Sequence, residues 1–305
     1  TPDLGLKYLD NFGFTTLAHG TEADKDANGN IWSDANLATA LGGITKGVTN
    51  VELCAAYASI ANSGNYIKPI YYTKILDHNG NVLIENTSVE RSVIKESTAY
   101  LLTSAMEDVV KYGTGTACQL DNMAVAGKTG TTEAYNDVWF VGYTPYYTCA
   151  IWSGYDNNEK LPDYARKYHR NLWKKVMTRI HEGLPQKDFE KPASVEKLSI
   201  CAISGLLPRA GCPVTTEYFD VGTMPTEYCE EHFYDESSYD YDTSDQTDSS
   251  STDTSDAENT DTSDDSTDGT ENTDGTDGDN TGDYDYDNTG DTDDGGDDSQ
   301  YQIDY

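Results

Sequence analysis

Residues 124–132 read AVAGKTGTT, an apolar run that ends in one lysine between glycines and beside three threonines. Lysine within a strand is ordinarily a solvated edge residue. Glycine there weakens the strand unless a ligand or another backbone must come close. Lys128, Thr129, Gly130 and Thr131 therefore suit a strand that a ligand lies against, with a cation and hydroxyls presented to it. Thr114 and Gly115 form a second and weaker candidate, because Gly-Thr-Gly after a helical run is already a good C-cap.

Six cysteines are another source of chemistry. Cys54, Cys118 and Cys149 lie in apolar or helical surroundings and read as buried small hydrophobes. Cys201, Cys212 and Cys229 cluster in a stretch rich in Gly, Pro and Thr, with His232 just beyond. Those residue types make a Cys₃His zinc set, but the spacing lacks the close CxxC pair that such sites usually carry. A disulfide in a small exported module is the favoured reading. Which two cysteines would pair is not legible, and no metal site is assigned.

The chain has 305 residues, with 54 Asp or Glu against 20 Lys or Arg and a formal net charge of −34. Residues 234–305 hold 26 of the acids and no base, which leaves 28 acids against 20 bases in residues 1–233. This Asp/Ser/Thr/Gly tail has almost no aliphatic residues and is expected to be disordered and self-repelling. Its DYDYDNTGD carries Asp283, Asp285 and Asp287 but sets Asn288 where an EF-hand-like loop needs glycine. A solvated spacer is expected there, without a specific calcium site. A chain this acidic has no basic footprint for nucleic acid. No stretch approaches the roughly 20 apolar residues of a membrane-spanning helix. The sequence opens with Thr and not Met, and it is expected to be a piece of a longer protein.

A framework of helices and strands must hold the candidate groups. Residues 2–12 read as a short helix with Pro2 early and Gly13 as its stop, and residues 33–43 as a second, ended by Gly42 and Gly43. Thr49 and Glu52 form a capping box for a helix that runs to Gly64. Residues 68–86 give two strands around the turn His78-Asn79-Gly80. The clearest helix carries Leu101, Leu102, Ala105, Met106, Val109 and Val110 at the helical period, with Gly113 as its left-handed stop. Strands follow at 123–128, 138–143 and 148–154, the last two joined by a Thr-Pro-Tyr-Tyr hairpin. Residues 163–180 form a long helix with Tyr164, Tyr168, Leu172, Val176 and Ile180 along one side. Helices, then an antiparallel sheet, then a helix packed back on it make an α+β chain, three-layer α/β/α. The expected divisions are 1–185, a small Cys/Pro/Gly-rich appendage over 186–233, and the tail 234–305.

Three blocks occur in one order: ALGGITKGVTNVELCAAYASIANSGNYIKP, then VVKYGTGTA, then VAGKTGTTEAYNDVWFVGYTPYYTCAIWSGYD. This set resembles the C-terminal portion of the transpeptidase domain of class A (bifunctional) penicillin-binding proteins, from residue 1 to about residue 232. The resemblance implies the penicillin-binding transpeptidase fold, serine β-lactamase-like and incomplete at its N-terminus. It also implies a peptidoglycan D,D-transpeptidase that cross-links wall peptides by acyl transfer from D-Ala-D-Ala through a serine acyl-enzyme. By the same resemblance Lys128 faces the substrate's terminal carboxylate. Thr129 and Thr131 offer hydroxyls to that carboxylate or to the proton network. Gly130 lets the substrate backbone approach, the Thr131 N–H is an oxyanion-hole donor, and Thr114 is a weaker contact. Asp137 and Trp139 could border the cleft, with packing the default for Trp139.

The implied partners are peptidoglycan stem peptides, the lipid-linked precursor and β-lactam antibiotics. The acidic tail is a candidate to meet cell-wall polymers. No cofactor and no nucleic acid are called for. The implied place is the extracytoplasmic face of a bacterial cell membrane, through an N-terminal anchor that lies outside this chain, as does a glycosyltransferase domain.

The family's nucleophile motif Ser-x-x-Lys and its Ser-x-Asn motif are expected upstream of this chain. Three lookalikes fail. SGN (Ser63 to Asn65) precedes SVIK (Ser92 to Lys95), the reverse of the family's order, and Ser92 lies too close to Lys128. SVEK (Ser194 to Lys197) follows Lys128, in a polar linker. The chain is therefore expected to be inactive alone. The alternative reading is a non-catalytic penicillin-sensing or cell-wall-interaction protein that reuses the fold.

Overall fold

A computed structural model describes residues 1–232; residues 233–305, and with them the expected disorder and spacer role of the acidic tail, lie outside the described residues. Helix α1 (Pro2–Asn11) ends where the sequence sets Gly13. That glycine has φ +89°, and a Cβ on it would strike the Tyr66 ring. The second short helix is a five-residue 3₁₀ turn, Leu37–Leu41, capped by the Asn36 side chain and left through Gly42 in the left-handed region. A backbone this irregular needs acceptors for its buried amides, and two aspartates supply them. Asp34, 1 % exposed, accepts from the Ala18 amide (2.8 Å), the Thr45 amide (2.8 Å) and the Thr45 hydroxyl (2.6 Å). Asp24 accepts from the Lys46 ammonium at 2.7 Å and from the His19 and Thr21 amides.

Helix α2 (Asn50–Ala61) starts at Thr49, whose hydroxyl accepts from the Glu52 amide at 3.2 Å. The Glu52 carboxylate takes the Thr15 hydroxyl at 2.6 Å and ties the preceding loop to the helix. Strands β1 (Asn65–Ile67), β2 (Lys74–Leu76), β3 (Val82–Glu85) and β4 (Glu90–Ser92) make two small antiparallel pairs, β1 with β4 and β2 with β3. Helix α3 (Glu96–Lys111) buries Ser97, Ala99, Thr103, Met106 and Val110, while Leu102 is 42 % exposed. Gly113 does not take the left-handed conformation expected of it. It is small for another reason: a Cβ there would lie 3.0 Å from the Val109 carbonyl oxygen.

The main sheet contains β5 (Ala126–Thr131), β6 (Asp137–Tyr143) and β7 (Thr148–Gly154), antiparallel in that order. β5 begins three residues later than the sequence suggested. Leu120 and Met123 are bridged around Asn122 at φ +60°, so the chain is still turning there. After a 3₁₀ turn at Asp163–Lys167 comes α4 (Tyr168–Ile180), then the hairpin of β8 (Val195–Cys201) and β9 (Val214–Asp220).

Alternation along β6 sends successive side chains to opposite faces. On one face the Tyr143 hydroxyl meets the Thr103 hydroxyl of α3 at 2.7 Å. On the other, Phe140 packs edge-to-face on Trp173 of α4, centroids 5.0 Å apart. The Trp173 indole N–H donates to the Cys149 carbonyl at 3.0 Å. Helices on both faces of an antiparallel sheet give the expected α+β, three-layer arrangement.

The buried side of α4 differs from the expected one. His169, Trp173 and Met177 are buried, whereas Tyr164, Tyr168, Val176 and Ile180 are 85 %, 59 %, 37 % and 44 % exposed. The expected stripe sits one position, about 100°, away from the real one. Gly142 is the reason. With no side chain it leaves a socket that only a large ring fills, and a Cβ there would lie 2.9 Å from the Trp173 ring and 2.7 Å from Phe140. Gly142→Ala should therefore lower stability by about 1–3 kcal/mol through overpacking. Gly5→Ala, in α1 with nothing within 4 Å of the added Cβ, should raise it by about 0.5–1 kcal/mol. Urea unfolding midpoints of the two variants check both signs.

Candidate functional site

β5 has one strand neighbour among the described residues, so its other edge presents unpaired backbone groups. The structure places Lys128, Thr129, Gly130 and Thr131 on this strand, opposite Val141, Phe140, Trp139 and Val138 of β6. The Lys128 ammonium folds along the strand, donating to the Thr129 carbonyl at 3.0 Å and lying 3.5 Å from the Thr129 hydroxyl. The Thr129 hydroxyl shares a hydrogen bond with the Thr114 hydroxyl at 2.8 Å. The weaker Gly-Thr-Gly candidate thus meets the stronger one. A Cβ on Gly130 would sit 3.2 Å from Cβ of Trp139, so cross-strand packing already favours glycine there.

Thr114, Thr129 and Thr131 line a cleft of about 540 Å³ with Tyr135, Arg166 and Arg170. These three side chains were not singled out from the sequence. The i, i+4 spacing of Arg166 and Arg170 in ARKYHR was the available signal, since a continuous helix there would put two cations on one face. Arg170 donates to the Thr114 carbonyl at 2.9 Å and so holds the Gly-Thr-Gly turn against β5. Arg166 pairs with Asp163 at 2.6 Å and covers the Tyr135 ring at 4.3 Å. Tyr135 takes φ +59°, an uncommon conformation for a residue with a side chain, held by that cation and by the Leu161 amide on its carbonyl. The Nε atoms of Arg166 and Arg170 and Nδ1 of His169 are buried without a hydrogen-bond partner. Cations and hydroxyls on one wall suit an anion, and a carboxylate matches a guanidinium and two hydroxyls in shape and charge.

Asp137 and Trp139 serve packing. Asp137 accepts from the Trp152 indole at 2.9 Å, and its amide donates to the Thr132 hydroxyl at 2.8 Å, closing the β5–β6 turn. Trp139 leans on Trp152 with centroids 6.1 Å apart. The lookalike motifs lie elsewhere: Ser63 just past α2, Ser92 on β4, and Ser194 just before β8. None of the three lines the cleft.

Cys118 belongs to the core with Val110, Phe140 and Trp173. Burial pushes the Cys118 thiol up to about 12 and the Cys149 thiol up to about 11, and it raises Cys54 as well. All three are inert side chains. Cys201, Cys212 and Cys229 are free thiols. With His232 they bring four ligand atoms within 4.8 Å of one another. The favoured disulfide would use two of the sulfurs and leave no role for the third or for the imidazole.

Residues 1–178 match the family described as the penicillin binding protein transpeptidase domain. Residues 191–234 match the penicillin-binding protein 1A C-terminal domain. Penicillin-binding protein 1A of Clostridium novyi (strain NT) is 35 % identical over 235 residues, 73 % of this chain and 25 % of that protein. Penicillin-binding protein 1A/1B of Bacillus subtilis (strain 168) is 33 % identical over 204 residues, 59 % of this chain and 22 % of that protein. The chain thus spans about a quarter of the length of these curated relatives. The crystal structure of penicillin-binding protein 1A from Haemophilus influenzae shares the fold, with a TM-score of 0.58 at 22 % identity over 75 % of this chain and 38 % of that one.

Beside the cleft, burial and then the Arg170 charge hold His169 down at about 4, from an ordinary 6.5. The unfolded chain takes up this proton near pH 6.5 and the folded chain near 4, so stability should fall as pH drops through that window and level off below it. His169→Gln should flatten the slope between pH 6.5 and 4. Melting temperatures of the two proteins across that range check it, and equal slopes would show that His169 does not set the dependence.

Proposed function

The chain belongs to the penicillin-binding protein transpeptidase family, and from that premise we propose that it forms the substrate-carboxylate wall of a peptidoglycan D,D-transpeptidase. The observation that carries the reading is the Thr114–Thr129 hydroxyl pair at 2.8 Å beside the Lys128 ammonium, on an unpaired strand edge that faces a cationic cleft. A D-Ala-D-Ala stem peptide lies antiparallel along β5. Its terminal carboxylate meets the Thr129 and Thr131 hydroxyls and the Lys128 charge. Arg170, through the Thr114 carbonyl, positions the third hydroxyl. Gly130 keeps the strand low where the peptide backbone passes. The Thr131 N–H points at the oxygen of the reacting carbonyl, where charge develops as the tetrahedral intermediate forms. A donor so placed contributes roughly 2.7–4 kcal/mol where it has been measured in a serine hydrolase. β-Lactams occupy the same positions through their own carboxylate and strained amide.

The acylating serine, its lysine and the Ser-x-Asn motif are supplied by sequence outside these 305 residues, as are a glycosyltransferase domain and a membrane anchor. The chain's coverage of about a quarter of its relatives supports this. No helix among the described residues is long and apolar enough to cross a membrane. The working place is the extracytoplasmic face of the membrane. We keep the division at residues 185 and 233, consistent with matches that span 1–178 and 191–234.

Two experiments test the reading. The 305-residue chain alone should form no covalent adduct with fluorescent penicillin; a stable adduct would overturn the placement of the serine. In a full-length protein that contains this chain, Lys128→Ala should slow penicillin acylation about 10- to 100-fold, the equivalent of one hydrogen bond to a charged group, ~1.5–3 kcal/mol. An unchanged acylation rate would remove Lys128 from the site.

A further inference from the structure

The three cysteines left over from the transpeptidase wall are brought to one point by three separate backbone devices. Cys201 ends β8, and its carbonyl accepts the Gly205 amide at 2.9 Å while its amide donates to Leu206 at 2.8 Å, so the chain folds back at once. Cys212 closes a turn by donating to the Arg209 carbonyl at 3.1 Å, next to Gly211 at φ +94°. Cys229 donates to the Leu207 carbonyl at 2.8 Å beside the Leu207–Tyr228 bridge. His232 turns its ring so that Nδ1 lies 3.3 Å from the Cys229 sulfur and 3.6 Å from the Cys201 sulfur.

These separations are those of a ligand set. Tetrahedral zinc with Zn–S about 2.3 Å and Zn–N about 2.0–2.1 Å sets sulfur and nitrogen about 3.6 Å apart and two sulfurs about 3.8 Å apart. All four atoms fall within 4.8 Å of one another. Cys201 and Cys229 are fully buried, while Cys212 and His232 are partly open, which gives an ion a way in. Three sulfurs this close cannot all be ionised without a cation among them.

We propose that Cys201, Cys212, Cys229 and His232 bind one Zn²⁺ as a closed tetrahedral structural site. On binding, each thiol loses its proton and the neutral imidazole donates through Nδ1. The ion fastens β8, the start of β9 and the 227–232 segment together. Residues 191–232 form one exposed-edged hairpin with loops, too few to build a sizeable core of their own, and a structural metal is one established substitute. Zinc loading also shields the thiols from oxidation in a compartment where disulfides form. This site is independent of the proposed transpeptidase wall.

The test uses the full 305-residue chain, purified under reducing conditions and stripped with a chelator. Titration with Co²⁺ alone should give thiolate-to-metal charge transfer and the intense visible bands of tetrahedral Co²⁺, saturating at about one equivalent and bleached by Zn²⁺. Cys201→Ser, Cys212→Ser and Cys229→Ser should each weaken Co²⁺ binding by more than the roughly 10- to 100-fold that loss of an outer partner costs. Cys118→Ser should leave it unchanged. His232→Cys should keep the tetrahedral bands with stronger charge transfer, a result that a purely packing role for His232 would not give. Absence of these bands in a chain whose circular dichroism is native would overturn the proposal. So would a disulfide between two of the three cysteines, found by mass in the metal-free protein as isolated from cells without reductant.

Discussion

The packing of the Trp173 ring into the surface that Gly142 leaves bare is the contact on which the rest of the sheet side depends. Trp173 is fully buried, meets Phe140 edge-on and hydrogen-bonds the Cys149 carbonyl. One side chain therefore touches β6 through apolar contact and β7 through its polar tip, the combination that makes buried tryptophan effective as an anchor. Once the ring is seated, the rotation of α4 is set. Arg170, three residues before Trp173, then reaches the Thr114 carbonyl, and Arg166 reaches Tyr135. The cleft is a consequence of how one helix sits on one strand.

Electrostatics at the cleft follow from the same placement. Guanidinium groups that would be worth little on an open surface here have Nε atoms buried without partners. Asp163 offsets part of the positive charge through Arg166, which limits the self-repulsion of Arg166, Lys167 and Arg170 before a ligand arrives. The Thr114–Thr129 contact joins two hydroxyls, each of which can donate and accept.

The small hairpin beyond the main domain is joined to it by side chains more than by a shared core. Tyr218 of β9 meets Tyr100 of α3 edge-on at 5.3 Å, with Lys197 over its other side at 4.7 Å. The Ser97 hydroxyl and the Gly222 amide hold the Asp220 carboxyl below its usual range. Such contacts fix orientation at one end of the hairpin, and the four converging ligand atoms lie at its other end.

The sequence by itself determined the features that depend on near neighbours. These are the strand that carries Lys128–Thr131, the Thr49 cap, the Gly13 and Gly42 stops, the hairpin across residues 144–147, and the α+β order of elements. Each is set by steric or hydrogen-bonding rules acting over a few residues. Tertiary structure decided what needs a partner from far along the chain. The apolar residues of α4 fill two adjacent stripes, Tyr168–Leu172–Val176–Ile180 and His169–Trp173–Met177, and periodicity alone does not choose between them. The socket at Gly142 does. Arg166 and Arg170 look like solvated helix cations until Thr114 and Tyr135 are placed beside them. Cys201, Cys212 and Cys229 lack the local spacing of a ligand set, and only the return of the chain at Gly205, Gly211 and Leu207 carries their sulfurs to one point.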